Sequence, residues 1–173
     1  MMRSWFQLSL MTYLPEWIQS QGYSLAFGGQ VLSVLLLSVS VGSFTGGPLS
    51  DRVGRWQVVA LSLVLLGLAQ SIFLTVSLFW QVGLVAVMGM MIGASFPVAI
   101  VMAQETWPKG VGLASALIMG LGWAPGGLGA WITGLIADKS SLATGLQTLI
   151  VPPLVGVVAA LGYALLQRRS RRI

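Results

Sequence analysis

The sequence predicts an all-α membrane protein with six transmembrane helices, and three observations support this fold class. Hydrophobic residues make up 56% of the chain and charged residues only 8%, whereas charged residues form about a quarter of an ordinary globular sequence. The charges divide the chain into long uncharged windows at 17–50, 56–104, 110–137 and 140–167. When these windows are laid across a membrane, every Lys and Arg except Lys139 falls on the same side.

The helices follow from the lengths of these windows, because a transmembrane helix needs about 20 predominantly apolar residues. The window 56–104 can hold two helices joined by a turn, which we place near Ser77. We therefore predict helices near 3–20, 26–48, 57–76, 79–103, 112–137 and 146–167. They form a single domain over residues 1–167, followed by a basic tail at 168–173.

The first helix is unusual for a transmembrane segment. Between Ser4 and Leu14 the apolar run is short and contains several polar residues, and Pro15 and Glu16 follow at once. A signal peptide is an alternative because Arg3 precedes the run, but no small-residue cleavage site follows. The pattern fits better a helix that lacks its N-terminal portion.

The distribution of basic residues predicts the orientation of the chain. Loops that face the cytoplasm are enriched in Lys and Arg, so both termini are expected in the cytoplasm and Lys139 outside. The basic residues on the expected cytoplasmic side are Arg3, Arg52, Arg55, Lys109, Arg168, Arg169, Arg171 and Arg172. Because these residues lie at the ends of apolar runs, we attribute the net charge of +5 to membrane topology and expect a lipid bilayer, not nucleic acid, as the partner.

Composition also excludes most catalytic chemistry. The chain has no Cys and no His, which excludes disulfides, thiolate nucleophiles, Ser-His-Asp triads and the usual zinc sites. The four carboxylates, Glu16, Asp51, Glu105 and Asp138, lie far apart in the sequence. We therefore expect neither an enzyme nor a bound metal or cofactor.

The segment from Gly47 to Arg55, Gly-Pro-Leu-Ser-Asp-Arg-Val-Gly-Arg, is expected to form the short loop between the second and third helices. Gly47 would let two helices approach closely, and Gly54 would permit a tight turn. Asp51 could cap the third helix or pair with a basic side chain. Arg52 and Arg55 offer forked donors to carboxylates or to helix C-terminal carbonyls.

This segment resembles the signature loop of the major facilitator superfamily, Gly-x-x-x-Asp-Arg/Lys-x-Gly-Arg-Arg/Lys, at every position except the last, where Trp56 stands. The segments 103–115, 126–130 and 134–138 are similar to the last third of fosmidomycin-resistance-type drug exporters. The resemblance implies helices seven to twelve of a twelve-helix transporter in the plasma membrane of a bacterium, that is, the bacterial inner membrane. The six helices would then be one half of a major facilitator fold, with the first helix truncated at its N-terminus.

The function implied by this resemblance is export of a small drug-like molecule by proton antiport. Half a pathway cannot alternate access alone, so the implied partner is an N-terminal six-helix half or a second copy of the chain. The sequence leaves open two alternatives: a non-transporting remnant or membrane interaction partner, and uptake of a small solute. None of the carboxylates falls in the middle of a predicted helix, so a proton-coupling carboxylate is expected in the other half.

Glu105 is the expected partner of the Gly47–Arg55 segment. It ends the fourth helix on the same side as Arg52 and Arg55. In the family such ion pairs hold one conformation and break in the other, so the resemblance implies a gating role for Gly47, Asp51, Arg52, Gly54, Arg55 and Glu105. The alternative is that Glu105 is a solvated carboxylate at the membrane interface.

Small residues and prolines predict close packing of kinked helices. The positions concerned are Gly89, Gly93 and Pro97 in the fourth helix and Gly122, Pro125, Gly126 and Gly134 in the fifth. The segment 120–127 is also loosely similar to a Gly-Pro-Gly-rich antiporter motif, although packing explains it better.

The resemblance places the first, second, fourth and fifth helices around the central pathway. Polar or aromatic residues on them are candidate substrate contacts, with ordinary packing as the alternative for each: Gln7, Tyr13, Gln30, Gln81, Phe96 and Trp123.

Overall fold

A computed structural model describes residues 2–170 of the chain, with side chains as far as Ala160. Over this range the chain is helical, with short turns between α1 (Met2–Ser20), α2 (Leu25–Val53), α3 (Arg55–Phe73), α4 (Leu78–Thr106), α5 (Val111–Lys139), α6 (Leu142–Gln147) and α7 (Val151–Ser170). Residues 171–173 of the predicted basic tail lie outside the described residues.

The predicted all-α fold with six helices is confirmed, and five of the six are long and apolar enough to be transmembrane helices. The short helix α6, a 3-10 turn at Thr148–Ile150 and α7 follow one another directly and together correspond to the sixth predicted helix. Five segments are long and apolar enough to cross a membrane: Leu25–Val53, Arg55–Phe73, Leu78–Thr106, Pro108–Lys139 and Leu142–Ala160. The helix α1, with 19 residues, does not meet that test because of its polar residues.

The turns define two ends of the helical bundle. One end, which we call the motif end, contains Gly54 between α2 and α3 and the segment 107–110 between α4 and α5. The opposite end contains the turns 21–24, 74–77 and 140–141. Ser24 begins α2 there by accepting a hydrogen bond from the backbone N–H of Phe27 at 3.2 Å, which satisfies one of the free donors of a helix N-terminus.

The helix α1 runs from the middle of the bundle to the opposite end. Gly126, near the middle of α5, packs against the backbone of Ser4. Near the other end of α1, the indole N–H of Trp17 donates to Gln81 Oε1 at 3.3 Å, in the first turn of α4. Arg3 therefore lies at mid-bundle depth, and our expectation that it marks the cytoplasmic side together with Arg52 and Arg55 is wrong.

Glycines create the closest helix contacts. On α4, a side chain at Gly89 or Gly93 would overlap the backbone of α2, and on α2 a side chain at Gly42 or Gly46 would overlap the backbone of α4. In lipid, where no hydrophobic force joins helices, such backbone approach supplies the van der Waals contact that holds them together. The expectation that Gly47 mediates this approach is wrong, because Gly47 faces open space and its neighbour Gly46 makes the contact.

The bundle core lies where these helices meet. Its fully buried residues are Phe6, Leu10, Leu14 and Ile18 from α1, Val31 and Leu35 from α2, Leu66 and Phe73 from α3, Val85, Met88 and Ile92 from α4, and Leu146 and Leu149 after α5. A buried hydrogen bond of 2.7 Å from Gln70 Nε2 to the carbonyl of Leu146 joins α3 to α6.

Candidate functional site

Three charged residues from three helices meet at the motif end. The Arg55 guanidinium contacts the Glu105 carboxylate directly, and its Nη2 lies 3.7 Å from Asp51 Oδ1. Asp51 is in the last turn of α2, Arg55 begins α3, and Glu105 is in the last turn of α4. The structure thus brings together Asp51, Arg55 and Glu105, whereas Arg52 forms no ion pair with any residue that the structure describes.

The dipoles of the three helices explain why these charges pair. The N-terminus of a helix carries partial positive charge and the C-terminus partial negative charge, so a cation at the start or an anion at the end is disfavoured by about 0.3–1 kcal/mol. Arg55 stands at the start of α3, while Asp51 and Glu105 stand near the ends of α2 and α4. Each of the three charges is therefore disfavoured by the dipole of its own helix, and the pairing of Arg55 with Asp51 and Glu105 offsets this penalty.

Gly54 sets the geometry of this cluster. Its backbone, with φ of 109° and ψ of 139°, lies in a region that is essentially restricted to glycine. The expected loop over Gly47–Arg55 is thus wrong in extent, because α2 continues through Pro48 to Val53 and only Gly54 leaves the helical conformation. Asp51 does not cap α3, because the N-cap residue of α3 is Gly54 and no side chain makes a capping hydrogen bond there.

The cluster is accessible to solvent. The exposed fraction of the side chain is 29% for Arg55, 58% for Glu105 and 70% for Asp51. Ion pairs exposed in this way are typically worth up to about 1 kcal/mol. The contact can therefore form and break at small cost, as a reversible contact must.

A second polar feature lies at the middle of the bundle. A cavity of about 200 Å³ opens between α1, α4 and α5, and Arg3 and Phe96 are among the residues that line it. The Arg3 guanidinium carbon lies 4.5 Å from the centre of the Phe96 ring, and Nη1 donates to Gln7 Oε1 at 2.9 Å. Trp123 meets Phe96 edge-on, with ring centroids 6.5 Å apart.

The structure thus gathers Gln7, Phe96 and Trp123 around Arg3, while the other candidate contacts lie elsewhere. Tyr13 donates to the carbonyl of Ala130 at 3.1 Å, in the contact between α1 and α5. Gln30 is exposed in the second turn of α2. Gln81 is buried at the opposite end, where it accepts from Trp17 and Gln21 at 3.3 and 3.1 Å.

The predicted packing positions divide between two interfaces. Gly89 and Gly93 face α2, whereas Gly126 and Gly134 face α1. Gly122 borders the cavity and a side chain there would meet open space. Pro97 and Pro125 lie inside α4 and α5, which continue through them.

Sequence reasoning missed two elements of these sites. The first is Arg3 itself, treated as a topology marker although Gln7 follows one helical turn later and the surrounding segment looked too short for a complete helix. The second is the pair Gly42 and Gly46, whose spacing of four residues could have identified the face of α2 that receives α4.

Comparisons with known proteins agree with one another. A family model described as Major Facilitator Superfamily matches residues 1–172. The chain is 30% identical over 154 residues to the fosmidomycin resistance protein of Escherichia coli strain K12. The aligned region covers 88% of this chain and 38% of that protein. It is 31% identical over 150 residues to an uncharacterised MFS-type transporter, YfnC, of Bacillus subtilis strain 168, with 87% and 35% covered.

A more distant relative is the cyanate transport protein CynX of Escherichia coli strain K12, 26% identical over 138 residues, with 76% of this chain and 35% of that protein covered. No solved structure gives a significant match. The chain spans only 35% to 38% of the length of these three relatives.

Proposed function

The chain belongs to the major facilitator superfamily, and from this premise we propose that it is the C-terminal half, helices seven to twelve, of a secondary transporter. The complete transporter exports a small drug-like molecule by proton antiport, with an N-terminal six-helix half supplying the other side of the pathway. The site is the mid-bundle cavity, and the charge cluster at the motif end is its conformational latch.

The observation that carries this proposal is the contact between Arg55 and Glu105. It joins the start of α3 to the end of α4, so it fixes the arrangement of the helix ends at the motif end. Alternating access requires contacts that differ between two conformations. A solvent-accessible ion pair of small net energy is suited to that role.

The fraction of each relative that the chain covers supports a half-transporter, because major facilitator transporters consist of two parallel six-helix repeats. Large apolar side chains are also left exposed on most helices, with examples on α2 and α5. Leu37 and Phe44 on α2 are 68% and 82% exposed, and Leu128 on α5 is 65% exposed. Exposed apolar surface of this kind is matched by lipid or by a second half.

The positions of the carboxylates bear on proton coupling. Glu16, Asp51, Glu105 and Asp138 are all exposed and lie toward the ends of their helices. A proton relay within the membrane normally uses a carboxylate inside the bundle. We therefore assign the coupling carboxylate to the N-terminal half.

The proposal is tested first on the gene. We expect the nucleotide sequence upstream of the Met1 codon to continue in frame into six further apolar spans, or to be accompanied by a separate gene that encodes them. The complete reading frame, expressed in a drug-sensitive bacterium, should raise resistance to fosmidomycin, the compound named in a relative, and collapse of the proton gradient should abolish drug efflux.

Two results would contradict this proposal. A stop codon upstream with no separate gene for an N-terminal half would leave two explanations, a self-dimer or a remnant. Crosslinking in the membrane distinguishes these two. A complete transporter that leaves drug accumulation unchanged for every compound tested would exclude drug export.

A further inference from the structure

Arg3 is a cation in the interior of a membrane bundle. It lies beside Ile92 and Phe96, at the middle of α4. A helix of 29 residues is about 43 Å long at 1.5 Å per residue, so its middle falls near the centre of a hydrocarbon layer about 30 Å thick. Charged side chains at this depth are costly and mark functional sites by default.

The guanidinium of Arg3 is only partly satisfied by the protein. Its Nη1 donates to Gln7 Oε1 at 2.9 Å and lies 3.5 Å from the carbonyl oxygen of Ile92. Among the described residues, which include all four Asp and Glu residues of the chain, none forms an ion pair with Arg3 and none accepts a hydrogen bond from its Nη2 or Nε. One edge of the guanidinium fork, the geometry that matches a carboxylate or phosphate, is thus left for another group.

The cavity beside Arg3 indicates the chemistry of the rest of the molecule that carries this anionic group. Apart from Arg3 and Ser4, its lining is apolar, with Phe96 and Ala99 from α4 and Leu117 and Leu121 from α5. Its volume of about 200 Å³ is below the usual range for drug-sized ligands, about 300–1,000 Å³, so it suits a small molecule or one part of a larger one. A molecule with a charged end beside Arg3 and an apolar body against α5 would match both the polar and the apolar parts of the lining.

We propose that Arg3, held by Gln7 and by the face of Phe96, binds the anionic group of the transported molecule, and that the substrate is a small organic anion with an apolar body. This inference rests on the proposed transport function and names its substrate class. Gln7 positions the guanidinium, Phe96 stabilises it through the ring face, and Arg3 donates the bidentate contact.

The test compares two probes that differ in charge and hardly in shape, benzoate and benzamide. The complete reading frame is purified in lipid nanodiscs so that any second half is present, and binding of radiolabelled benzoate is competed with unlabelled benzamide. We expect benzoate to bind at least about tenfold more tightly than benzamide, since a buried charge pair contributes that much or more.

Three variants assign this preference to Arg3. Arg3→Gln should reduce the affinity for benzoate to that for benzamide, and Arg3→Lys should restore part of it, because an ammonium keeps the charge without the fork. The matched control is Lys139→Gln, which removes a positive charge at the end of α5 and should change neither affinity. Arg3→Gln should unfold at the same temperature as the wild type or higher, because it removes an unpaired interior charge.

Equal affinities for the two probes, no saturable binding of either, or a preference that survives Arg3→Gln would overturn the anion site. A lower unfolding temperature with an unchanged ratio of affinities would show that Arg3 is structural, and would also overturn it. Binding that prefers benzoate without efflux of any drug would remove the transport proposal and leave the site. Drug efflux without a preference for benzoate over benzamide would overturn the anion site and leave the transport proposal.

Discussion

Arg55, Asp51 and Glu105 illustrate how the dipole of each helix makes an exposed contact specific. An isolated exposed ion pair contributes up to about 1 kcal/mol, which corresponds to a shift of about fivefold between two conformations. Here each partner also stands at the end of its helix that disfavours its charge. The ion pairs offset these small penalties, so the contact between Arg55 and Glu105 favours the conformation in which the two side chains meet.

We expect Glu105→Gln, in the complete transporter, to shift the conformational equilibrium toward opening at the motif end by about fivefold, the lower end of typical coupling energies. The measurement is the labelling rate of Ala99→Cys, a position that lines the cavity, with a charged methanethiosulfonate reagent applied to the motif end. The chain contains no native cysteine, so the signal comes from this position when the other half is cysteine-free.

The control is Glu16→Gln, which removes an exposed acid of α1 outside the cluster and should leave the rate unchanged. Arg55→Gln removes the contacts to both Asp51 and Glu105, so it should raise the rate at least as much as Glu105→Gln does. The double variant should show no more than the effect of Arg55→Gln, since the contact between Arg55 and Glu105 is already lost. Additive effects, or an unchanged rate in Glu105→Gln, would exclude the latch.

Sequence reasoning identified this cluster better than it identified Arg3, for a physical reason. Charges that end apolar runs must lie at the membrane surface, so the shared side of Arg55 and Glu105 follows from the topology alone. Arg3 also precedes an apolar run, and the same rule placed it at the surface. Only the packing of Ser4 against Gly126 shows that this run begins at mid-bundle depth, because depth depends on the neighbouring helix and not on local hydropathy.

The helices α2 and α4 form the closest interface of the bundle, and both sides of it are made of glycine. Gly89 and Gly93 were predicted as a packing face, but the spacing of small residues does not specify which helix that face meets. The partner became evident only from the backbone overlap that a side chain at Gly93 would have with Val39. The end of α2 was predicted near residue 48 because the signature segment was expected to form a loop, whereas the helix stops where Gly54 adopts a conformation restricted to glycine.

This interface predicts contrasting effects of the same substitution on one helix. Gly93→Ala should reduce the free energy of unfolding by about 1–3 kcal/mol, because the added methyl group meets backbone that cannot move without displacing α2. Gly83→Ala, also in α4 but facing open space, should be neutral or stabilise by up to about 1 kcal/mol, since alanine favours helix more than glycine does.

Unfolding in mixed detergent micelles titrated with dodecyl sulfate measures both variants under the same conditions. Equal effects of the two substitutions would mean that α2 and α4 are not in backbone contact in the membrane.

The two ends of the bundle differ in charge even after Arg3 is removed from the comparison. The motif end carries Arg52, Arg55 and Lys109, and α7, whose last turn contains Arg168 and Arg169, runs toward it. Among the described basic residues, Lys139 is the one at the opposite end. Exposed aromatic residues mark both ends: Trp107 is 49% exposed at the motif end, and Phe79 and Trp80 are 80% and 64% exposed at the opposite end. Aromatic residues are enriched at membrane interfaces, so the distance between these positions indicates how the bundle crosses the bilayer.

This asymmetry predicts that the motif end faces the cytoplasm, because basic residues are retained on that side during insertion. Two single-cysteine variants test it, Lys139→Cys at the opposite end and Lys109→Cys at the motif end, both in turns or at helix ends. In intact cells a membrane-impermeant maleimide should label Lys139→Cys, whereas Lys109→Cys should react only after the membrane is permeabilised.

Permeabilised cells supply the control for both variants. Each cysteine must react there, so that the absence of labelling in intact cells can be attributed to the membrane. The reverse pattern in intact cells would invert the topology, and labelling of both would indicate two orientations. Either result would contradict the predicted orientation. If the motif end does not face the cytoplasm, the ion pair of Arg55 and Glu105 lies at the other side of the membrane, and the proposed latch would close the pathway toward that side.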